Sequence, residues 1–116
     1  MEYLQVNQNL IAQNVATLLS VGKTLASEGH SVFVPKTHKP LFIVVVDNIN
    51  KTKRTILFDE ITYSWGLNTP KNKIDIPQNT NSETLLKATL ENFNTSIQIT
   101  ESDLSIFKKL YKEIKC

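Results

Sequence analysis

The sequence has few of the residues that build disulfides, metal sites or nucleophilic active sites. It contains one cysteine, two histidines and three glycines in 116 residues. The cysteine is the last residue, Cys116, so no intramolecular disulfide can form. Zinc bound by His30 and His38 would need further ligands, and only Glu28 or the remote Cys116 could assist. We therefore expect no metal, no cofactor and no enzymatic activity.

Arginine is also scarce, and neither sign of charge predominates. Arg54 is the only arginine among 13 basic side chains, which against 11 acidic ones gives a net charge of +2. Domains that bind nucleic acid usually carry clustered arginine and lysine, because arginine can donate two hydrogen bonds to one guanine or phosphate. We therefore expect no nucleic-acid partner.

Long apolar segments are missing as well. The longest run, from Leu41 to Val46, is far shorter than the roughly 20 residues that cross a membrane. Polar residues interrupt residues 1–25, which lack the pattern of a signal peptide. We expect the protein to be made in a cytoplasm and not to associate with a membrane.

Residues 1–29 carry the apolar pattern of a helix, with Gly29 as a natural stop. Ala12, Ala16 and Ser20 lie one turn apart and form a stripe of small side chains. This stripe would pack against the sheet of the same chain, which we favour, or against a partner helix. The segment Ser20–Thr24 has the Gly-Lys-Thr end of a phosphate-binding loop, but it lacks the first glycine and lies in the predicted helix. Nucleotide binding is therefore not expected.

A β-hairpin is predicted in the middle of the chain, within residues 31–63. Ser31–Val34 is a short strand candidate, and Leu41–Val46 is apolar at every position, which indicates a strand covered on both faces. The polar segment Asp47–Lys53 leads to a second strand, Arg54–Phe58. A turn centred on Asn50-Lys51 would place Asp47 opposite Arg54. The candidate contact residues of the hairpin tip are Asn48, Asn50, Lys51 and Lys53.

The second half predicts a long connection over residues 64–82, then a helix, a strand and a helix over residues 83–116. The connection includes a short strand at Lys73–Ile76. The later elements are a helix over Glu83–Phe93, a half-buried strand over Ser96–Ile99, and a last helix on which Leu104, Phe107, Tyr111 and Ile114 share one face. Thr100 to Asp103 form a capping-box start. Tyr63 and Trp65 cap the core, which we favour slightly, or anchor an interface.

One ordered arrangement over residues 41–100 is similar to a known family. An apolar strand precedes an Asn-rich turn, the strand Arg54–Asp59 and a short Ile-x-Ile strand, Ile74–Ile76; a Leu-Leu helix and Ser96–Ile99 follow. This order resembles small virion structural proteins of phages that infect Bacteroidetes bacteria. The chain departs from that pattern at Thr84, where the helix usually has an aromatic residue. It also departs at its C-terminus, where a basic helix is predicted in place of another strand.

Together these features predict a single α+β domain: an N-terminal helix, a small antiparallel sheet built on a central hairpin, and a C-terminal helix-strand-helix. The resemblance implies a non-enzymatic role in the virion, as a minor capsid, cement or connector protein, and it brings no catalytic residues. The expected partners are other virion proteins or further copies of the chain, with no small-molecule substrate. The alternative is a small cytoplasmic binding module, an inhibitor or adaptor acting on a host protein or nucleic acid.

Overall fold

The computed structural model describes residues 2–37, 40–59, 64–67, 69–74, 83–85, 87 and 97–115. This part of the chain contains an N-terminal helix, a seven-stranded antiparallel sheet and a C-terminal helix that leads into the last strand, so the predicted α+β class is confirmed. The helices are α1 (Glu2–Ser27) and α2 (Glu101–Leu110). The strands are β1 (Ser31–Pro35), β2 (Phe42–Asp47), β3 (Thr52–Asp59), β4 (Ser64–Leu67), β5 (Thr69–Ile74), β6 (Ile97–Gln98) and β7 (Tyr111–Ile114).

The sheet is built around the predicted hairpin of β2 and β3. Its strand order is β5-β4-β3-β2-β1-β7, and β6 pairs with the first residues of β3. All the pairs are antiparallel. In the described residues, β5 and β7 are therefore the two outer strands.

Helix α1 runs without interruption through Gly22 and stops where the sequence predicts. Gly29 has a φ of +99°, a left-handed conformation that glycine adopts without steric cost. The N–H of Gly29 donates to the carbonyl of Ala26, and the N–H of His30 donates to that of Leu25. These bonds satisfy the last carbonyls of the helix and turn the chain into β1.

The sheet carries apolar side chains on both faces, as predicted from the unbroken apolar run of β2. Ile43 and Val45 face α1, whereas Val44 and Val46 face α2. The cluster under α1 is the larger one and contains Leu18, Val21, Leu25, Val32, Val34, Ile43, Val45, Ile56, Phe58, Trp65, Leu67 and Leu85. The cluster under α2 consists of Phe33, Val44, Val46 and Ile99, with Phe42, Leu104, Phe107 and Tyr111 packed against it.

The hairpin turn lies earlier in the chain than predicted. Asp47 pairs with Thr52, and Arg54 pairs with Val45, so Asp47 and Arg54 are not opposite each other. The side chain of Asp47 fixes this register because its Oδ1 accepts from the backbone N–H groups of Ile49 and Asn50, at 2.9 and 3.1 Å. Such a carboxylate stabilises a turn that begins at its own residue.

The segment predicted as a long connection, residues 64–82, contains a second hairpin. β4 pairs with β3 and with β5, and the pairing shifts register after Gly66. The part of the predicted strand Lys73–Ile76 that is described, as far as Ile74, belongs to β5. In the predicted helix Glu83–Phe93, residues 83–85 and 87 are helical and the others lie outside the described residues.

The C-terminal helix is shorter than predicted, and the chain ends in a strand instead. Helix α2 begins at the predicted capping box, in which Asp103 N–H donates to Thr100 Oγ1 and Thr100 N–H donates to Asp103 Oδ2. It ends at Leu110, and Tyr111–Ile114 pair with β1. Tyr111 packs on Phe42 on the α2 side of the sheet, whereas Ile114 joins the cluster on the α1 side. Pairing with β1 therefore overrides the helical spacing of these residues.

Candidate functional site

The hairpin tip is a rigid turn whose polar side chains are engaged within the chain. Asp47 Oδ2 accepts from the side-chain amide of Asn50 at 2.9 Å, and Asn48 Nδ2 donates to Ser31 Oγ at 2.9 Å. Lys51 adopts a positive φ of 55°. Hydrogen bonds from the backbone N–H of Asn50, and then from its side chain, hold the pKa of Asp47 below its ordinary value of 3.8.

Residues of the C-terminal segment, from β6 into α2, also contact the hairpin tip. Lys51 Nζ lies 3.3 Å from Glu101 Oε1, and the carbonyl of Lys51 accepts from the N–H of Ile99. Lys53 Nζ lies 5.4 Å from the centroid of the Phe107 ring, within the range of a cation–π contact. The structure thus brings together the predicted tip residues Asn48, Asn50, Lys51 and Lys53, and joins them to α2.

Ile49, which lies inside the predicted tip but is not one of its four named contact residues, is 92% exposed, the largest value among the apolar side chains that the structure describes. It projects between Asn48 and Asn50 at the tip. The signal was present in the sequence, because a β-branched residue in the middle of an Asn-rich turn is unusual. A partner that contacts the tip would meet Ile49 first.

The small stripe on α1 faces away from the sheet. Ala12, Ala16 and Ser20 are exposed, while the opposite side of the helix buries Leu18, Val21 and Leu25. The favoured expectation that the stripe packs on the chain's own sheet is therefore wrong. Contact with a partner helix stays a prediction, on a surface separate from the hairpin tip.

Of the aromatic pair, Tyr63 lies outside the described residues and Trp65 lies in the core. Trp65 is fully buried, with its ring 5.1 Å from that of Phe58 between centroids. Its Nε1 has no hydrogen-bond partner among the described residues. This position agrees with the interpretation of Trp65 as a core residue. A partner could not reach its side chain on the folded chain as described.

Helix α2 has a second apolar side that the sequence analysis did not identify. Leu104 and Phe107 contact the sheet, but Ile106 and Leu110 point elsewhere and are 49% and 61% exposed. These two side chains lie one helical turn apart, so they form a continuous apolar strip. No residue of α2 is fully buried.

A groove of about 760 Å³ lies between α1, the end of β1 and β7. Its lining is apolar and basic: Leu19, Lys23, Val34, Pro35, Lys36, Thr37, Pro40, Lys112, Glu113, Ile114 and Lys115. These residues come from four separate parts of the sequence, so the lysines are brought together only by the fold. No sequence motif could have indicated this groove.

A much smaller cavity, about 10 Å³, lies beside the hairpin and has room for about one water molecule. Its lining includes His30, Asp47 and Arg54. The pKa of Arg54 lies below its ordinary value because burial lowers it more than the nearby Asp47 carboxylate raises it. The cavity is too small for an organic ligand.

In the described residues no three His, Cys, Asp or Glu side chains lie together as metal ligands. His38, part of the pair considered in the sequence, falls outside those residues. None of the described helices combines the length and the apolar character needed to cross a membrane.

The chain was compared with models of protein families, with curated proteins and with solved structures, and none of the three comparisons found a match.

Proposed function

We propose that this chain is a non-enzymatic structural protein that works through protein–protein contacts as a component of a phage virion. The observation that carries the contact role is the apolar strip formed by Ile106 and Leu110 on α2. A helix with apolar residues on two sides typically packs one side on the core of its own chain and the other side on a partner. The partners we propose are further copies of the chain or other virion proteins.

The virion assignment is supported by the order of elements behind the resemblance over residues 41–100. The described residues contain, in that order, an apolar strand, a tight turn, a second strand, helical residues 83–85 and the short strand β6, although β4 and β5 lie between the second strand and residue 83. The chain also ends in a strand, β7, as that family pattern does, although the basic helix α2 still precedes it. The departure at Thr84 stays.

The first experiment measures the mass of the purified protein in solution and looks for the protein in purified phage particles. We expect a mass well above the 13.2 kDa of one chain by light scattering. The variant Ile106→Glu with Leu110→Glu should weaken this association by at least about tenfold for each side chain, because each loses roughly 1.5–3 kcal/mol of apolar burial.

The matched control is Ser105→Glu with Lys109→Gln. It makes the same change in net charge at two exposed positions one turn apart on the same helix, outside the apolar strip. The control should associate like the unchanged protein. A stable 13.2 kDa monomer that is absent from particles would overturn the proposal.

The second candidate function is the small binding module, an inhibitor or adaptor in the bacterial cytoplasm. The observation that favours it is the lysine-lined groove beside β7, which is separate from the apolar strip. A monomer that captures one specific host protein, and loses it when the groove is changed, would support this candidate.

A further inference from the structure

The groove beside β7 combines an apolar floor with an open strand edge. Leu19 of α1, Val34 of β1 and Ile114 of β7 supply the apolar side chains. Within the described chain β7 pairs with β1 alone, so alternate residues of β7 point their backbone N–H and C=O groups away from the sheet. The groove volume of about 760 Å³ is within the range of known binding sites, roughly 300–1,000 Å³.

The charge of the groove is strongly positive although the charge of the whole chain is nearly balanced. Among the described residues, four lysines line it against one acidic residue, Glu113, while the chain as a whole has a net charge of +2. The lysines lie on three sides: Lys23 on α1, Lys36 after β1, and Lys112 and Lys115 on or next to β7. An occupant that complements this lining carries acidic groups for the lysines and apolar groups for the floor of the groove.

We propose that the groove binds an extended acidic segment of a partner protein, which pairs with the β7 edge as an added strand. Successive side chains of a strand alternate between two faces. The side of the segment that faces α1 would carry both kinds of group, apolar side chains against Leu19 and Ile114 and carboxylates against the lysines, because Lys112 and Ile114 point to the same side of the sheet. This inference rests on the protein–protein role proposed above, but it uses a surface separate from Ile106 and Leu110.

Two other occupants fit the lining less well. A second copy pairing through the same edge would bring the lysines of two β7 strands together, and lysines on an edge strand oppose such pairing. Single-stranded nucleic acid is usually held by aromatic side chains that stack on bases and by arginine. In the part of the chain that the structure describes, the groove lining contains neither an aromatic residue nor an arginine.

The test uses a fluorescent peptide of about eight residues, the length of an ordinary strand. Glutamate and valine alternate on one face of the peptide, and threonine occupies every position of the other face. Its binding to the full chain is followed by fluorescence anisotropy at about 150 mM salt, where exposed charges are largely screened beyond about 8 Å. The variant Lys36→Glu with Lys112→Glu should weaken binding by about tenfold or more. The control Lys108→Glu with Lys109→Glu makes the same charge change on α2, outside the groove, and should bind within about twofold of the unchanged protein.

A second peptide separates strand pairing from simple charge attraction. It has the same sequence with alternate backbone nitrogens methylated, which removes the hydrogen bonds of one strand edge. We expect it to lose binding, and we expect the unmodified peptide to slow hydrogen exchange in β7. Equal binding of the two peptides, or no binding of either, would overturn the proposal. Tighter binding of a single-stranded oligothymidylate that competes with the peptide would also overturn it.

Light scattering on the groove variant distinguishes this inference from the proposed function. The chain with Lys36→Glu and Lys112→Glu should associate normally while losing the peptide. If the unchanged chain assembles but does not bind the peptide, only the groove assignment fails. Circular dichroism of each variant checks that its fold is retained.

Discussion

At Gly22 helix α1 approaches the sheet so closely that any Cβ would require its neighbours to shift. A Cβ built at this position would lie 2.9 Å from Ile114 Cδ1 and 3.3 Å from Val32 Cγ1, both on neighbouring strands. In the middle of a helix glycine costs about 1 kcal/mol relative to alanine. From the sequence, Gly22 only lowers the stability of the helix. In the structure, its missing side chain lets α1 contact the last strand, β7.

We expect Gly22→Ala to change the free energy of unfolding by less than about 1 kcal/mol, because the gain in helix propensity offsets a small displacement of the mobile end of Ile114. Gly22→Leu should destabilise the fold by about 1–3 kcal/mol, because Val32 is fully buried and stiff and cannot give way. Urea unfolding followed by circular dichroism measures both changes.

The control for this pair is Ser20→Leu, an exposed position on the same helix, which should stay within about 0.5 kcal/mol of the unchanged protein. A Gly22→Leu protein as stable as this control would show that α1 does not approach β7 as closely as described.

Among the elements, the central hairpin has a specific dependence on acid. The pKa of Asp47 is lowered by the hydrogen bonds of Asn50, so the folded state favours the charged carboxylate. A group of this kind adds stability above its unfolded pKa, near 3.8, and this stability is lost as the pH falls through the lower, folded value. The capping box of α2 behaves in the same way, since hydrogen bonds from Thr100 lower the pKa of Asp103.

We predict that the free energy of unfolding falls as the pH drops below about 4, and that Asp47→Asn reduces the slope of this fall. Asparagine keeps an oxygen acceptor for the turn, but its side chain does not gain or lose a proton in this pH range. Asp103→Asn should reduce the slope independently, and the double variant should reduce it further. Urea unfolding at several pH values measures the slope. An unchanged slope in Asp47→Asn would contradict the role of Asp47 in the turn.

The elements also show how far local patterns predict this fold. The apolar run of β2, the stop at Gly29 and the capping box at Thr100 are local signals, and each is confirmed. The last four strand residues are different, because Tyr111 and Ile114 have helical spacing and their strand depends on pairing with β1, about 80 residues earlier in the chain. The predicted hairpin register was wrong for a different, local reason: Asp47 Oδ1 accepts hydrogen bonds from the N–H groups of Ile49 and Asn50, so the turn begins at Asp47.

The candidate surfaces were less predictable than the elements. The hairpin tip could be predicted because all its residues are neighbours in sequence. Burial of Trp65 and exposure of the α1 stripe depend on which side of each element meets the sheet, which the spacing of Ala12, Ala16 and Ser20 does not reveal. The groove was not predictable, because Lys23, Lys36 and Lys112 meet only after β7 has paired with β1.

At the scale of the whole molecule, the sheet separates two layers of unequal stability. Helix α1 buries Leu18, Val21 and Leu25 in the larger cluster. Helix α2 covers the smaller cluster through half-buried side chains and has no fully buried residue. Elements with few buried apolar contacts open at lower free energy than the global unfolding. The layer that carries the apolar strip is therefore the layer that opens first.

We predict that the backbone amides of α2 exchange with solvent faster than those of β2 and of residues 17–25 in α1. Phe107→Ala should accelerate exchange in α2 further, because it removes the ring contacts with Phe33, at 6.1 Å between centroids, and with Lys53. Exchange in α1 should change little, since none of these contacts reaches that layer.

Lys108→Ala is the control, because Lys108 is an exposed neighbour that is not part of the cluster. Native-state hydrogen exchange at increasing urea measures each segment. If α2 exchanged only through global unfolding, at the same free energy as β2, the two layers would form one cooperative unit. The apolar strip would then be presented on a rigid helix and would not depend on a layer that opens locally.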